Sequence, residues 1–260
     1  MSDKEWGIGL AYHMGKYKLL ALDLDGTLLN DRSEISESNA LWVQRALDAG
    51  IVVCVSTGRG FLSALPFAEQ IGKDTPMLTV NGGEVWRKPH QLHRRTLLAA
   101  EKVMKLHALA EQHKTWYWAY TVEDIYNNER WPADTIGRNW LKFGFHIEDS
   151  EKINTILEEI RTWEGLELSN SSIYNIEVNG AGVSKATGLE ELCRLYGFNM
   201  SEVVAIGDSL NDIAAIRAAG LGIAMGNAQD EVKAAANVIT EHHQQDGVAY
   251  AIEHYVLKSN

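Results

Sequence analysis

Cysteine is almost missing from this chain. Two occur in 260 residues, Cys54 and Cys193. They are too few for a disulfide scaffold and fit a reducing cytosol, so a cytoplasmic protein is expected. Zinc spacing is absent as well. His90 with His93, and His242 with His243, are isolated pairs that read as exposed or hydrogen-bonded side chains. No stretch approaches the ~18 consecutive apolar residues of a membrane span. The opening Met1-Ser2-Asp3-Lys4-Glu5 has neither the basic start nor the apolar stretch of a secretory signal. Met14 stands just before the first strong strand, and residues 1–13 read as a poorly ordered extension. Basic charge is scarce: 24 Lys plus Arg face 35 Asp plus Glu, a formal net charge of −11. That balance argues against nucleic acid or an anionic membrane as main partner. A single phosphate still needs only a small local basic site. Internal repeats and low-complexity tracts are also absent. What remains is ordinary globular composition, 45% hydrophobic and 23% charged, with length for one large domain or two modest ones.

The two ends of the chain share a rhythm. Tyr17 to Leu24 is a short, mostly apolar run that reads as a buried strand, with Asp25-Gly26 behind it. Ser36 to Ala49 has helical spacing and stops at Gly50. Ile51 to Val55 is a second strand, broken by Ser56-Thr57-Gly58-Arg59-Gly60. A helix from Leu62 to Ile71 and a strand from Met77 to Val80 follow, ending at Asn81-Gly82-Gly83. Later come a helix over Lys185 to Tyr196, a strand over Glu202 to Ile206, and Gly207-Asp208. A helix over Asn211 to Ala219, a strand over Leu221 to Ala224, a helix over Val232 to Ala236 and the strand Val238-Ile239 complete the series. This alternation predicts an α/β fold with a doubly wound, Rossmann-like parallel sheet, whose ligands bind beyond the carboxyl ends of the strands.

The middle differs. Its strands alternate (Thr115 to Thr121, Ile125 to Glu129, Ile173 to Asn179), with helices over Leu97 to His113 and Glu151 to Trp163. One covered and one open face imply a small α+β domain inserted into the first. The expected division is 1–84 and 184–260 for the sheet domain and 85–183 for the insertion. The insertion is rich in aromatics, among them Trp116, Trp118, Tyr120, Trp140, Phe143 and Phe145. Such a stripe more often packs under helices than faces a ligand.

Three polar segments sit at strand ends. In Asp23-Leu24-Asp25-Gly26-Thr27 the two carboxylates are two apart and can face one site. In Gly207-Asp208-Ser209-Leu210-Asn211-Asp212 the carboxylates are four apart across a helix start; a plain N-cap is the simpler reading of either alone. Together, four carboxylates would repel unless a hard divalent cation sat among them, and Mg²⁺ suits such oxygen donors. Thr57-Gly58-Arg59 offers a hydroxyl and backbone N–H groups beside a helix start, a natural anion seat. Lys185 opens a helix where the chain returns to the sheet domain.

These segments, in order, resemble the four motifs of the haloacid dehalogenase-like superfamily of phosphohydrolases. Asn81-Gly82-Gly83, Gly182-Val183-Ser184-Lys185 and Ala224-Met225-Gly226-Asn227-Ala228 further resemble its Cof-type sugar-phosphatase branch, which carries a large α/β cap between the second and third motifs. Gly83 stands where many relatives have Ala. The resemblance implies an Mg²⁺-dependent phosphatase of small phosphorylated metabolites, with sugar phosphates foremost. It implies Asp23 as nucleophile, forming an aspartyl phosphate, and Asp25 as general acid and then base. Mg²⁺ would be held by the Asp23 and Asp208 carboxylates and the Asp25 backbone carbonyl. Lys185 would neutralise charge, and Thr57, Gly58, Lys185 and Asn211 would hold the phosphate. Asp212 would support the metal waters or Lys185, and Arg59 would be structural. A phosphotransferase or mutase, in which a second hydroxyl replaces water, and a non-catalytic phosphate sensor are the competing expectations.

Overall fold

The computed structural model describes residues 15–258; the extension expected over residues 1–13 lies outside them. The chain opens with β1 (Leu19–Leu22), α1 (Glu37–Asp48), β2 (Val52–Ser56), α2 (Phe61–Ile71) and β3 (Met77–Thr79). A hairpin, β4 (Glu84–Lys88) and β5 (Gln91–Arg95), comes next. The insertion supplies α3 (Ala100–His113), β6 (Trp116–Thr121), β7 (Ile125–Asn127), β8 (Trp140–His146), α4 (Ser150–Arg161), β9 (Leu166–Ser169) and β10 (Asn175–Gly180). The return adds α5 (Lys185–Tyr196), β11 (Val203–Gly207), α6 (Ile213–Ala218), β12 (Leu221–Ala224), α7 (Asp230–Ala235), β13 (Val238–Ile239) and α8 (Gly247–Ala251).

Two sheets result. The larger runs β13-β12-β11-β1-β2-β3-β4-β5. It is parallel from β13 through β3, and the hairpin adds two antiparallel strands. Helices α1, α2 and α8 pack together as one layer, and α5, α6 and α7 as another. The core lies between sheet and helices. Leu19, Leu20 and Leu22 of β1 are fully buried there, at about 1.5–3 kcal/mol of burial each. Strand β1 is central: the chain moves from it to β2 and β3 on one side, then returns as β11 on the other. That reversal opens a crevice at the carboxyl ends of β1 and β11, where open α/β sheets bind ligands.

The smaller sheet, β7-β6-β8-β10-β9, is wholly antiparallel. Its covered face packs Tyr117, Phe143, Phe145, Ile176 and Val178 with Val103, Leu106, Ile156 and Ile160 of α3 and α4. The open face turns to the large sheet domain.

The large sheet extends past the boundary expected at residue 84. Glu84–Lys88 and Gln91–Arg95 pair with β3 and each other, so the large sheet extends to Arg95 and the crossing falls at residues 96–99. The hairpin escapes a hydropathy reading because its outer strand is exposed and polar. The strand expected over Ile125 to Glu129 stops at Asn127, where a turn pairs Asn127 with Arg130. Strands β8 and β9 and the final helix, which continues as a wide helical turn over Ile252–Leu257, are additions to the sequence reading.

Candidate active site

Strand β1 delivers Asp23 to the crevice. The Asp23 N–H donates to the Ile206 carbonyl (3.1 Å), which extends the parallel pairing by one residue and fixes the side chain at the sheet edge. The chain then makes a wide turn: Leu28 N–H donates to Asp23 O (3.2 Å) and Leu29 N–H to Leu24 O (2.9 Å). Gly26 has φ +73°, and a Cβ there would lie 2.5 Å from Asp208 Oδ2. Only glycine permits both the turn and the approach of Asp208.

Asp208 follows β11. Its Oδ1 accepts from the Thr27 hydroxyl (3.2 Å) and its Oδ2 from the Ser209 hydroxyl (3.1 Å). Asp212 serves two purposes. Its Oδ2 accepts the backbone N–H of Asp208 and of Ser209 (3.1 Å each), so that it closes a capping box from the third position of the turn that Ser209 caps. Its Oδ1 accepts from Lys185 Nζ (2.6 Å). Lys185 opens α5 behind Ser184, whose hydroxyl accepts the Thr187 N–H in a capping box. That cap aims a fully buried ammonium at the crevice, where it also donates to Asp23 Oδ1 (2.7 Å).

Asp23, Asp208 and Asp212 each offer a carboxylate oxygen within 4.8 Å of the others. Burial, with repulsion from Asp212 and Asp208, pushes the Asp23 carboxyl well up despite Lys185. Burial and Asp212 raise Asp208 to about 6. Burial alone would lower the Lys185 ammonium, but Asp212 and Asp23 outweigh it and hold it above its ordinary value. One buried cation therefore faces three crowded carboxylates, an arrangement that a further hard cation would relieve.

Asp25 does not join them. Its side chain is 60% exposed and takes a two-pronged contact from Arg59, Nε to Oδ2 at 2.7 Å and Nη2 to Oδ1 at 2.5 Å. Arg59, expected to be structural, thus holds the residue expected to move protons. Thr57 follows β2 and is buried; its Oγ1 accepts the Arg59 N–H (3.1 Å). Asn211 Nδ2 donates to Asn81 Oδ1 (3.2 Å), and its own Oδ1 is buried without a partner.

The open face of the cap sheet roofs this crevice. A cavity of about 190 Å³ lies between, floored by Asp23, Thr57 and Gly58 and roofed by Trp118, Tyr120, Lys142 and Glu177. Lys142 and Glu177 are buried and paired at 3.2 Å. Lys142 Nζ donates to the Gly58 carbonyl (2.8 Å), and Asn81 Nδ2 donates to Glu177 Oε2 (2.7 Å), so the pair ties roof to floor. Asn81 sits at φ +61° after Val80 at +54°, a conformation a β-branched valine rarely adopts. Backbone bonds from Val80 and Asn81 to the carbonyls of Arg59 and Thr57 (2.8 and 3.0 Å) hold it.

Burial raises the Glu177 carboxyl, but the Lys142 charge and hydrogen bonds from Asn81 and Ser171 outweigh it. The net value lies below the ordinary 4.5. A carboxyl depressed in the folded state stabilises above its unfolded value, and that contribution fades as pH falls through the folded one. Glu177→Gln is expected to be less stable than wild type at neutral pH, with the gap closing below about pH 4.5. Thermal melts across that range check this; a gap independent of pH would contradict it.

The expected residues at strand ends therefore assemble, with the Asp25 side chain on the cavity wall beside Arg59 and apart from the other carboxylates. Trp118, Tyr120, Lys142, Glu177 and the bridging role of Asn81 were not foreseen. The available signal was charge inside the insertion's strands: Lys142 between Leu141 and Phe143, and Glu177 between Ile176 and Val178.

The haloacid dehalogenase-like hydrolase family matches over residues 20–152 and 127–252. The chain belongs to that family. It is of the Cof type, and it is an enzyme of the phosphoric monoester hydrolase class. The 5-amino-6-(5-phospho-D-ribitylamino)uracil phosphatase YcsE of Bacillus subtilis is 45% identical over 240 residues, covering 92% of this chain and 96% of the relative. The pyridoxal phosphate phosphatase YbhA of Escherichia coli is 28% identical, covering 92% of this chain and 99% of its own. A solved haloacid dehalogenase-like hydrolase from B. subtilis superposes with a TM-score of 0.84 at 25% identity, over 92% of this chain and 99% of that one. Among the described residues no helix is long and apolar enough to cross a membrane.

Proposed function

We propose that the protein is an Mg²⁺-dependent phosphatase of small phosphorylated metabolites, working through an aspartyl phosphate on Asp23. The observation that carries the reading is Lys185, buried and shared between Asp23 and Asp212 with Asp208 alongside. The donors fit Mg²⁺: they are hard oxygens, crowded and short of positive charge. Asp23, Asp208 and the Asp25 carbonyl would hold it. Both oxygens of Asp212 are already engaged, which favours a supporting place for that residue. When bound, Mg²⁺ supplies charge neutralisation for the phosphoryl group.

The chain's own residues do the rest. Lys185, Thr57, Gly58 and Asn211 orient the phosphate. An Asp23 oxygen attacks phosphorus as the bond to the leaving alcohol breaks. Asp25, released from Arg59, gives its proton to that alcohol oxygen. Asp25 then takes a proton from water, which attacks phosphorus and frees Asp23 and inorganic phosphate. The roof excludes bulk water and meets the leaving group.

Sugar phosphates are the broad expectation. The relative named for a ribitylaminouracil phosphate supports a narrower one, a phosphorylated polyol carrying a pyrimidine ring. Two unpaired, buried cysteines support a cytoplasmic setting, and the acidic charge supports small-molecule partners over nucleic acid or membrane. Purified protein is expected to release phosphate from several small esters, with the highest kcat/KM for the ribitylaminouracil phosphate. Chelation should stop turnover and Mg²⁺ restore it. Undiminished hydrolysis in excess chelator would contradict the site.

A further inference from the structure

The open face of the cap carries a cross-strand row that takes no part in the proposed bond-making steps. Antiparallel register puts Asn127, Trp118, Gly144, Glu177 and Ser169 side by side across the five strands. Residues in such a row point to one face. Trp118 and Glu177 line the cavity over Asp23, so the row forms its roof. Tyr117 and Ala119, flanking Trp118, point the other way into the cap core.

Gly144 stands between Trp118 and Glu177 without a side chain. A Cβ there would lie 2.3 Å from both Cε2 and Cζ2 of Trp118. The indole therefore occupies the space over the Gly144 backbone. The cap does not need it for its own packing: Tyr126, Trp131, Trp140, Phe143 and Phe145 make that core with one another. An indole seated on backbone at one side and partly open to a polar cavity at the other is a stacking surface. Tyr120, two residues on, extends it, with Lys142 Nζ 5.0 Å from its ring centroid.

We propose that Trp118, seated on Gly144, is a specificity-determining platform that stacks a flat conjugated ring on the alcohol side of the substrate. This rests on the phosphatase reading of the cavity: phosphate at the floor, ring against the roof. The ring-bearing and ringless members of one pair, the ribitylaminouracil phosphate and ribitol 5-phosphate, isolate the effect. In Trp118→Leu, and in Gly144→Val with Trp118 intact, the ratio of their kcat/KM values is expected to fall about tenfold, while Trp118→Phe keeps most of it. A ratio within about twofold of wild type would overturn the proposal, because a merely structural tryptophan lowers both substrates together. If wild type hydrolyses neither these esters nor any other small phosphate ester, the phosphatase reading fails on its own. Calorimetric binding of the ring-bearing ester to Asp23→Asn protein, with and without Trp118→Leu, then still decides the stacking. Roughly tenfold weaker binding supports it, and equal binding overturns it.

Discussion

Replacing Asp23 with asparagine is expected to cut turnover by about 10⁴-fold or more while leaving the fold intact. The carboxamide keeps the size of the side chain and loses the oxygen nucleophile. Stability should not fall with it. Asp23 is buried against Asp208 and Asp212, and its carboxyl is pushed up because that setting disfavours its charge. Asparagine removes one of three repelling groups, and Lys185 keeps Asp212 at 2.6 Å. In chelator, the melting temperature of Asp23→Asn should therefore equal or exceed that of wild type. Calorimetry alongside an assay of released phosphate checks both halves. Wild-type turnover would remove the nucleophile, and a large drop in melting temperature would mean that Asp23 is a structural partner of Lys185.

Lys185→Met should behave differently, losing activity and stability together. Its ammonium is fully buried and is the hydrogen-bonding cation for Asp23 and Asp212. Without it the carboxylates stay buried with no counter-charge. Breaking a buried pair in this way costs about 3–5 kcal/mol, or roughly 10 °C in a chain of this size. Turnover should drop about 10³-fold or more, since the phosphate meets an anionic nucleophile with less neutralisation. The double variant Lys185→Met with Asp212→Asn should recover part of the stability and none of the activity, as expected of two residues in direct contact. Full activity in Lys185→Met would detach the lysine from the chemistry, and strictly additive losses would detach it from Asp212.

How much of this was legible in the sequence follows from where each residue sits. Asp23, Thr57 and Asp208 each follow a short apolar run, and in a parallel sheet such runs end at one edge. Their meeting could be read before any coordinates. Lys185 was legible only as a helix start; its full burial depends on α5 packing near the crevice. Asp25 was placed with the other carboxylates because residues two apart share a side. The wide turn opens at Leu24, between the two, so the extended geometry on which that rule depends is lost, and Arg59 holds the Asp25 side chain at another part of the cavity wall. The cap was harder. Its aromatic-rich strands hold both a core and a binding face, and composition cannot divide Tyr117 from Trp118. Register does, because Trp118 stands opposite a glycine. The hairpin β4–β5 was illegible for a related reason: it extends an apolar sheet with polar residues whose partners lie next to them in sequence.

The central claim is that the Asp23 carboxylate, held by Lys185 beside Asp208, is the atom that takes the phosphoryl group. Trapping tests it most directly. A single turnover with Mg²⁺ and substrate, quenched in acid and reduced with borohydride, converts an acyl phosphate to the corresponding alcohol. Peptide mass spectrometry should then find homoserine at position 23 and unmodified aspartate at 25, 208 and 212. Homoserine at any of those three instead, or at none of the four while phosphate is released, would contradict the account.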